Sequence, residues 1–305
     1  MNVMLLANPA ARGGAHTGAA TQAAERLRDH GIRTTIISGG SAEESSELLR
    51  TAVRLGTDAV IVTGGDGTVN LAIQEVAGTG IPLGIIPAGT GNDMAETVGL
   101  KELDIASASE AIAGGNTRVI DLARVTRSDG TTRFFGTVLA SGFDSKVNDR
   151  ANAMRWPRGG SRYNIAILIE FVALKGIPYE VELELADGTR ERIVGDLVMA
   201  TVGNGRTYGG GIPICPDADP DDGLLDVTLV RPAGRLHLLR LLPRVFKGTH
   251  TSVPEVSTYR VKSARLSSPG VTAYADGDPI GALPLTIDVV PGALRVFAPL
   301  GPKSG

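Results

Sequence analysis

The first hundred residues alternate short apolar runs with longer segments of mixed polarity. Four runs predict strands: VMLLA at 3–7, TTIIS at 34–38, DAVIV at 58–62 and PLGII at 82–86. Largely apolar strands alternating with helix-length segments are typical of a parallel sheet that is covered by helices on both faces. The pattern therefore predicts an α/β domain, and such sheets bind ligands beyond the carboxyl ends of their strands.

Beyond Asp121 the pattern changes to longer strand-like stretches separated by Gly, Pro and Asp turns. These stretches are FFGTVLA at 134–140, YEVELEL at 179–185, DLVMATV at 196–202, LLDVTLV at 224–230 and LTIDVV at 285–290. Only 163–174 and 236–246 have a helical pattern in this half. We predict an α/β nucleotide domain over 1–121 and a mostly antiparallel, β-rich substrate domain over 122–289, with 290–305 packing back onto the first domain.

Composition and charge narrow the functional classes. The chain has 30 basic and 33 acidic residues and a net charge of −3, which does not favour a nucleic-acid partner. The single cysteine, Cys215, excludes internal disulfides and fits a reducing compartment. The N-terminal apolar run is too short for a signal peptide, and the longest apolar stretch, at 165–174, falls well short of the roughly 20 residues that span a bilayer. We therefore expect a cytoplasmic protein whose membrane contact, if any, is peripheral.

Glycine-rich turns follow three of the four predicted strands, and two of them lead directly into a predicted helix. The first, Gly64–Gly67, precedes a helix that we expect to begin near Thr68. Glycine lets the backbone approach a phosphate closely, and a helix N-terminus presents N–H donors to it. The segment is not a Walker A loop, because no GK[ST] follows. The alternative is an ordinary strand-to-helix turn capped by Asp66 or Thr68.

The same arrangement recurs at the next strand. A Pro-Ala-Gly-Thr-Gly turn at 87–91 precedes a helix that we expect to begin near Asn92. The first strand ends in NPAARGG, where Asn8 can hydrogen-bond and Gly13 and Gly14 open a third turn. Three turns at one edge of a parallel sheet outline a site of nucleotide size.

The motifs resemble those of a known family. GGDGTVN at 64–70 and GTGND at 89–93 are similar to the nucleotide motifs of diacylglycerol, sphingosine and related lipid kinases, although NAD kinases and phosphofructokinases share GGDGT. The segment 202–230 resembles the ordered NG…GGG…P.A…DGLLDV signature of bacterial diacylglycerol kinases and YegS-like lipid kinases. The resemblance implies an NAD kinase/diacylglycerol kinase-like fold and an ATP-dependent kinase that phosphorylates a hydroxyl of diacylglycerol or a related lipid.

The resemblance also implies site residues. Asp222, with the backbone carbonyls of Asp219 and Leu224, would hold Mg²⁺, an oxygen ligand set that suits a hard cation. The alternative is an acidic turn without an ion. Asp121 occupies an acidic position that binds Mg²⁺ with the nucleotide, or is simply a strand-end aspartate. The residues expected to contact ATP are Asn8, Gly65, Asp66, Gly67, Thr68, Val69, Asn70, Thr90, Asp93 and Asp121.

YADGDPI at 274–280 predicts a hairpin, because Asp-Gly between apolar runs is a strong hairpin signal. In the family the corresponding DGE supplies a glutamate that accepts the proton of the substrate hydroxyl, and this chain has Asp278 there. Aspartate is one methylene shorter. Either the turn lies closer to the acceptor, or Asp276 or water assists, or the substrate differs.

Two basic segments suit an anionic membrane surface. One spans 146–162 and includes Trp156; the other spans 231–250 and places leucines at helical spacing. The alternatives are a solvated loop and a helix packed on its own sheet. A homodimer is left open. The rival functions are a kinase of NAD or another non-lipid metabolite, and a nucleotide-binding regulator without catalysis, which the aspartate at 278 favours.

Overall fold

The structure is a computed structural model that describes residues 1–7, 15–154, 165–166, 169–170, 175–234, 241 and 243–299. Within these ranges, the helices lack the combination of length and apolar character needed to cross a membrane. Asn8 lies outside them, as do Arg155, Trp156, Arg158 and Arg162 of the first basic segment.

The N-terminal part contains the four predicted parallel strands. They are β1 (Asn2–Ala7), β2 (Arg33–Ile37), β3 (Ala59–Gly64) and β4 (Leu83–Pro87), in the order β2-β1-β3-β4. The helices between and after them are α1 (Ala15–Asp29), α2 (Ala42–Arg54), α3 (Asp66–Val76), α4 (Asp93–Thr97) and α5 (Ile105–Ala113). The predicted α/β architecture is confirmed.

The central strand β3 shows why this sequence folds as a covered sheet. All six of its residues are buried. Successive side chains of a strand point to opposite faces, so Val60 and Val62 pack with residues of α2 and α3 while Ala59 and Ile61 pack with residues of α1 and α5. The apolar run 59–62 therefore packs against a layer of helices on each face of the sheet.

The C-terminal part is mostly antiparallel, as predicted. Its elements are β5 (Thr117–Thr126), β6 (Thr132–Phe135), β7 (Val138–Gly142), α6 (Phe143–Ala153), β8 (Ile177–Leu185), β9 (Arg190–Leu197), β10 (Met199–Gly203), β11 (Leu225–Val230), the 3₁₀ turn His250–Ser252, β12 (Val256–Ser267), β13 (Thr272–Ala275), β14 (Asp278–Ala282) and β15 (Leu285–Phe297). Helix α6 was not predicted.

Two stretches that the sequence presents as continuous strands are each divided in two. The run 134–140 ends as β6 and resumes as β7, because the N–H groups of Gly136 and Thr137 donate to the Asp276 carboxylate. The run 196–202 is divided at Val198, where β9, paired with β8, gives way to β10, paired with β7 and β11. Apolar character persists through both changes of partner, so hydropathy alone does not reveal them.

Strand β15 joins the two parts. It is antiparallel to β12 and β5, and its Val296 pairs in parallel with Leu83 of β4. The ladder with β5 is irregular between Val290 and Leu294, opposite Asp121. The division into domains at residue 121 stays a prediction, and it falls at this irregularity.

The predicted helices at 163–174 and 236–246 lie partly outside the described residues. Those that are described, at 165–166, 169–170, 241 and 243–246, are helical.

Candidate active site

The two glycine turns contact each other through their backbones. Gly65 precedes α3 and Gly89 lies in the turn after β4. A Cβ atom on Gly89 would lie 2.5 Å from the Cα of Gly65, a distance that a real side chain does not tolerate. Glycine at this pair of positions therefore allows the carboxyl ends of β3 and β4 to converge.

The first turn leads directly into a helix that lacks a side-chain cap. Helix α3 begins at Asp66 rather than at the predicted Thr68, and no side chain of the described residues caps its N-terminus at Gly65. The first N–H groups of a helix have no intrahelical partner. This end of α3 thus keeps backbone donors that can meet a phosphate.

The second turn is fastened by Asn92. This residue has a left-handed backbone with φ 57°. Its side-chain Oδ1 accepts from the N–H of Gly89 at 3.1 Å, and its Nδ2 donates to the carbonyl of Gly89 at 2.9 Å. Helix α4 follows from Asp93, one residue beyond the predicted start.

Asp66 and Asp93 lie where the turns meet. Asp66 Oδ1 accepts from the N–H of Met94 at 3.1 Å, and Asp93 Oδ2 accepts from the N–H of Gly210 at 2.9 Å. Burial raises the pKa of both carboxyl groups; the charge of Asp276 adds to the rise at Asp66, and the charge of Asp66 adds to it at Asp93. The carboxyl groups of Asp66 and Asp93 therefore lie in one partly buried site where negative charge accumulates.

The predicted ATP contacts differ in exposure. Gly67 and Thr90 are exposed and Gly65 is partly exposed, whereas Thr68 and Val69 are buried in α3. Asn70 is also buried, and its amide is engaged within the protein: Nδ2 donates to Asp276 Oδ2 at 2.8 Å, and Oδ1 accepts from Arg133 Nη2 at 2.7 Å.

The hairpin formed by β13 and β14 reaches α3 through its tip. Asp276 has a left-handed backbone with φ 49°. Its carboxylate accepts from Asn70 Nδ2, from the N–H of Gly136, and from the N–H and hydroxyl of Thr137, at 2.6 to 3.0 Å. Its hydrogen-bonding capacity is therefore consumed in holding the tip.

Asp278 lies two residues after Asp276 and accepts fewer hydrogen bonds. Its Oδ2 accepts from Arg133 Nη2 at 2.6 Å, and its side chain is 40% exposed. The described residues offer no hydrogen bond to its other oxygen, Oδ1. Arg133 was not predicted as a site residue, because a lone arginine in a strand is common and gives no local signal.

Asp121 connects two turns that are distant in sequence, those of Gly223 and Gly292. Its two carboxylate oxygens accept from the N–H groups of Gly223 and Gly292, both at 2.7 Å, and its own N–H donates to the carbonyl of Pro220. These bonds bring Asp121 to the acidic turn around Asp222. None of the hydrogen bonds described for it reaches the glycine turns.

The acidic turn itself is largely satisfied by protein groups. Asp222 Oδ1 accepts from the N–H of Leu224 at 2.9 Å and its Oδ2 pairs with Arg260. Asp219 Oδ1 accepts from the N–H of Asp221 at 3.1 Å. Across the part of the chain that the structure describes, no three His, Cys, Asp or Glu side chains are grouped to hold a metal.

Asp226, next to this turn, is different. It is buried, and its Oδ2 has no hydrogen-bond partner among the described residues. Burial raises its pKa to about 6, opposed by Arg260 and reinforced by Asp222, Asp217 and Asp219.

Asn204 and Gly205 also join the two halves. Buried Asn204 donates through Nδ2 to the carbonyls of Asp121 at 3.0 Å and Gly136 at 3.1 Å. A Cβ on Gly205 would lie 2.6 Å from Thr97 Oγ1, so the adjoining glycine permits α4 to approach. The NG pair of the sequence signature thus has a structural role.

Comparison with known proteins agrees with this arrangement. Residues 2–125 match the model of the diacylglycerol kinase catalytic domain, and residues 137–298 match that of the YegS C-terminal NAD kinase beta sandwich-like domain. Two crystal structures from Bacillus anthracis share the fold at 22% identity. One, described as a diacylglycerol kinase, has a TM-score of 0.70 over 97% of this chain and 96% of its own; the other has a TM-score of 0.78, covering 97% and 95%.

Relatives in sequence span nearly the whole chain. A protein named diacylglycerol kinase from Mycobacterium tuberculosis is 50% identical over 297 residues, covering 97% of this chain and 95% of that protein. The "Probable lipid kinase YegS" of Salmonella arizonae is 32% identical over 281 residues, covering 90% and 89%. The sequence-based recognition is confirmed: the chain belongs to the diacylglycerol kinase family of lipid kinases and is an ATP-dependent phosphotransferase.

Proposed function

We propose that this kinase transfers the γ-phosphoryl group of ATP to a hydroxyl of diacylglycerol or a closely related lipid, with Asp278 as general base. The observation that carries the proposal is the linkage of the uncapped α3 N-terminus, through Asn70, to the hairpin that bears Asp278. The name of the Mycobacterium tuberculosis relative supports diacylglycerol as the first acceptor to test.

In this proposal the nucleotide phosphates lie against the two glycine turns. Gly65, Asp66 and Gly67 provide backbone donors at the start of α3, and Thr90 provides the exposed side of the second turn. Thr68 and Val69 support this turn from their buried positions in α3, and Asn70 acts by fixing the turn relative to the hairpin. Asn8 lies outside the described residues, and its contact with ATP stays a prediction.

Asp66 and Asp93, which lie where the two glycine turns meet, form a suitable binding site for Mg²⁺. This cation is usually bound by one or two carboxylates together with substrate phosphates and water. Asp66 and Asp93 supply two carboxylates whose pKa values are raised by burial, with the charge of Asp276 adding to the rise at Asp66 and that of Asp66 to the rise at Asp93, and a cation would relieve this cost. When bound with ATP, the ion would neutralise negative charge on the β- and γ-phosphates. Each carboxylate oxygen of Asp121 accepts a backbone N–H, so Asp121 supports this site indirectly, through the turns that it holds.

Asp278 would accept the proton of the acceptor hydroxyl at its free oxygen, Oδ1. The hydroxyl oxygen forms a bond to the γ-phosphorus, and the bond between that phosphorus and the β–γ bridging oxygen breaks. ADP leaves with the electron pair of the broken bond. A positioned general base contributes about 10²- to 10⁴-fold in rate, which is the loss we expect on its removal.

A second Mg²⁺ at the acidic turn remains part of the proposal. Both oxygens of Asp222 already accept hydrogen bonds, so an ion there would replace Arg260 or use the carbonyls of Asp219 and Leu224. The unpartnered Oδ2 of Asp226 and the surrounding negative charge favour such an ion.

Peripheral contact with anionic lipid is proposed for the face near α6. Phe143 packs against the cluster of Val147 and Ala166 and against the cluster that contains Leu241, so Ala166 and Leu241 lie near the same element. Phe246 is 61% exposed, and Arg244 and Lys247 beside it are exposed. A cytoplasmic location, a homodimer and the lack of a nucleic-acid partner stay predictions.

The central experiment measures label transfer from γ-labelled ATP with Mg²⁺ to diacylglycerol, phosphatidylglycerol, sphingosine, NAD or no acceptor. We expect labelled diacylglycerol with the wild-type chain and a decrease of about 10²- to 10⁴-fold with Asp278→Asn. Asp288→Asn is a matched control, because Asp288 is a partly exposed, arginine-paired aspartate on another strand.

Three outcomes would contradict the proposal. Label on NAD alone would indicate a metabolite kinase, ATP binding without transfer would indicate a regulator, and full activity of Asp278→Asn would remove the assigned base. Repeating the assay with vesicles of neutral and anionic lipid at low and high salt tests the membrane contact, which should weaken as salt rises.

A further inference from the structure

Arg133 lies between helix α3 and the hairpin that bears Asp278, and the proposed function assigns it no role. It lies on β6 and is 25% exposed at the side chain. A single nitrogen, Nη2, donates to Asp278 Oδ2 at 2.6 Å and to Asn70 Oδ1 at 2.7 Å. One guanidinium therefore bridges the helix of the first glycine turn and the carboxylate proposed as the base.

The bridge closes a ring of contacts. Asn70 lies four residues after Asp66 in α3, about 6 Å along the axis of a regular helix. Through Nδ2 it holds Asp276, and through Oδ1 and Arg133 it holds Asp278. The Asn70 amide therefore positions both aspartates of the hairpin tip, Asp276 directly and Asp278 through Arg133. It lies on the helix whose N-terminus is proposed to bind the phosphates.

The contacts of Arg133 distinguish its role from that of a surface ion pair. Its Nε is buried without a hydrogen-bond partner among the described residues, but its Nη2 binds the buried amide of Asn70 as well as Asp278, which holds the guanidinium from two sides. A charge-assisted bond to the carboxylate fixes one oxygen, Oδ2. Asp278 then keeps Oδ1 for the acceptor hydroxyl in a defined direction.

We propose that Arg133 is a positioning residue that fixes Asp278 relative to the phosphate-binding end of α3. The inference rests on the proposed function, since it assumes that Asp278 accepts the proton. Aspartate is a short side chain with few rotamers, so a single bond to Arg133 suffices to orient Asp278. Misplacement of about 1 Å can cost roughly 100-fold in rate.

The test compares Arg133→Met and Arg133→Lys in the full chain. We expect Arg133→Met to lower kcat about 10- to 100-fold while the KM for ATP changes by less than about twofold. Lysine retains the charge and several donors, so Arg133→Lys should recover most of the lost rate. In the Asp278→Asn background, Arg133→Met should lower kcat by no more than about threefold, because coupled residues are not additive.

Arg124→Met is the matched control. Arg124 lies on the neighbouring strand β5, forms an ion pair with Asp288, and also has a buried Nε without a described partner. It should leave kcat within about threefold of wild type, as expected for a position outside the active site.

Each outcome has a distinct meaning. Wild-type kcat in Arg133→Met, a rise in the KM for ATP at unchanged kcat, or failure of lysine to restore the rate would each overturn the inference. If Arg133→Met does not fold, Arg133→Gln, which also removes the charge but keeps a polar side chain, replaces it in the comparison with lysine and in the cycle with Asp278→Asn. A wild-type chain that phosphorylates none of the acceptors refutes the proposed function itself.

Discussion

Replacing Asp226 by asparagine should stabilise the protein at neutral pH. The side chain is 7% exposed, its Oδ2 lacks a partner among the described residues, and three other aspartates raise its pKa further. Its pKa rises from 3.8 to about 6. At 1.36 kcal/mol for each pKa unit, ionising this group in the folded state costs about 3 kcal/mol.

The sign follows from proton binding. Between pH 4 and pH 6 the folded state binds more protons at Asp226 than the unfolded state, so stability falls as the pH rises through this window. At pH 7 the full cost is present, and at pH 5 roughly half remains. Asparagine removes the charge, so we expect Asp226→Asn to gain about 1 to 3 kcal/mol at pH 7.

Urea denaturation at pH 7 and pH 5 in EDTA measures this gain. The advantage of Asp226→Asn over wild type should shrink by roughly half at pH 5. Asp187→Asn is the opposite control: hydrogen bonds from Thr189 lower the pKa of that exposed carboxyl, so its replacement should not stabilise. A variant less stable than wild type at pH 7, with no narrowing at pH 5, would refute the reasoning.

The same variant tests an ion at the acidic turn. Anything that binds only the folded state stabilises it by RT ln(1 + [L]/Kd). If Mg²⁺ binds beside Asp226, adding it should raise the wild-type midpoint and reduce the advantage of Asp226→Asn. An identical response of both proteins to Mg²⁺ would contradict an ion at this place.

Three further predictions follow from the site. Because the pKa values of Asp66 and Asp93 are raised, affinity for Mg-ATP should begin to fall on acidification at a higher pH than ordinary aspartates dictate, and calorimetric titration from pH 8 to 5 checks this. Asn204→Ala should destabilise by about 2 to 4 kcal/mol in urea, since two buried carbonyls lose their donor. Gly205→Ala should cost about 1 to 3 kcal/mol through its clash with Thr97, whereas Gly195→Ala, whose Cβ meets nothing within 4 Å, should be nearly neutral.

Local features of the sequence were enough to predict much of this fold. The four parallel strands follow from short apolar runs that alternate with helix-length segments, and the hairpin at 274–280 follows from its Asp-Gly turn. The glycine turns were identified because their glycines directly follow apolar runs and precede helix-length segments. These features depend on neighbours along the chain, so the sequence alone determined them.

The tertiary structure decided which polar groups meet. Asn70 and Asp276 are 206 residues apart in sequence, and Asp121 and Gly292 are 171 apart, yet each pair is hydrogen-bonded. No local pattern records such partners. For the same reason Arg133 was missed and the strands at 134–140 and 196–202 were predicted without their breaks. A hydrogen bond forms only where the folded chain brings a donor and an acceptor together. The packing of the whole sheet determines those positions.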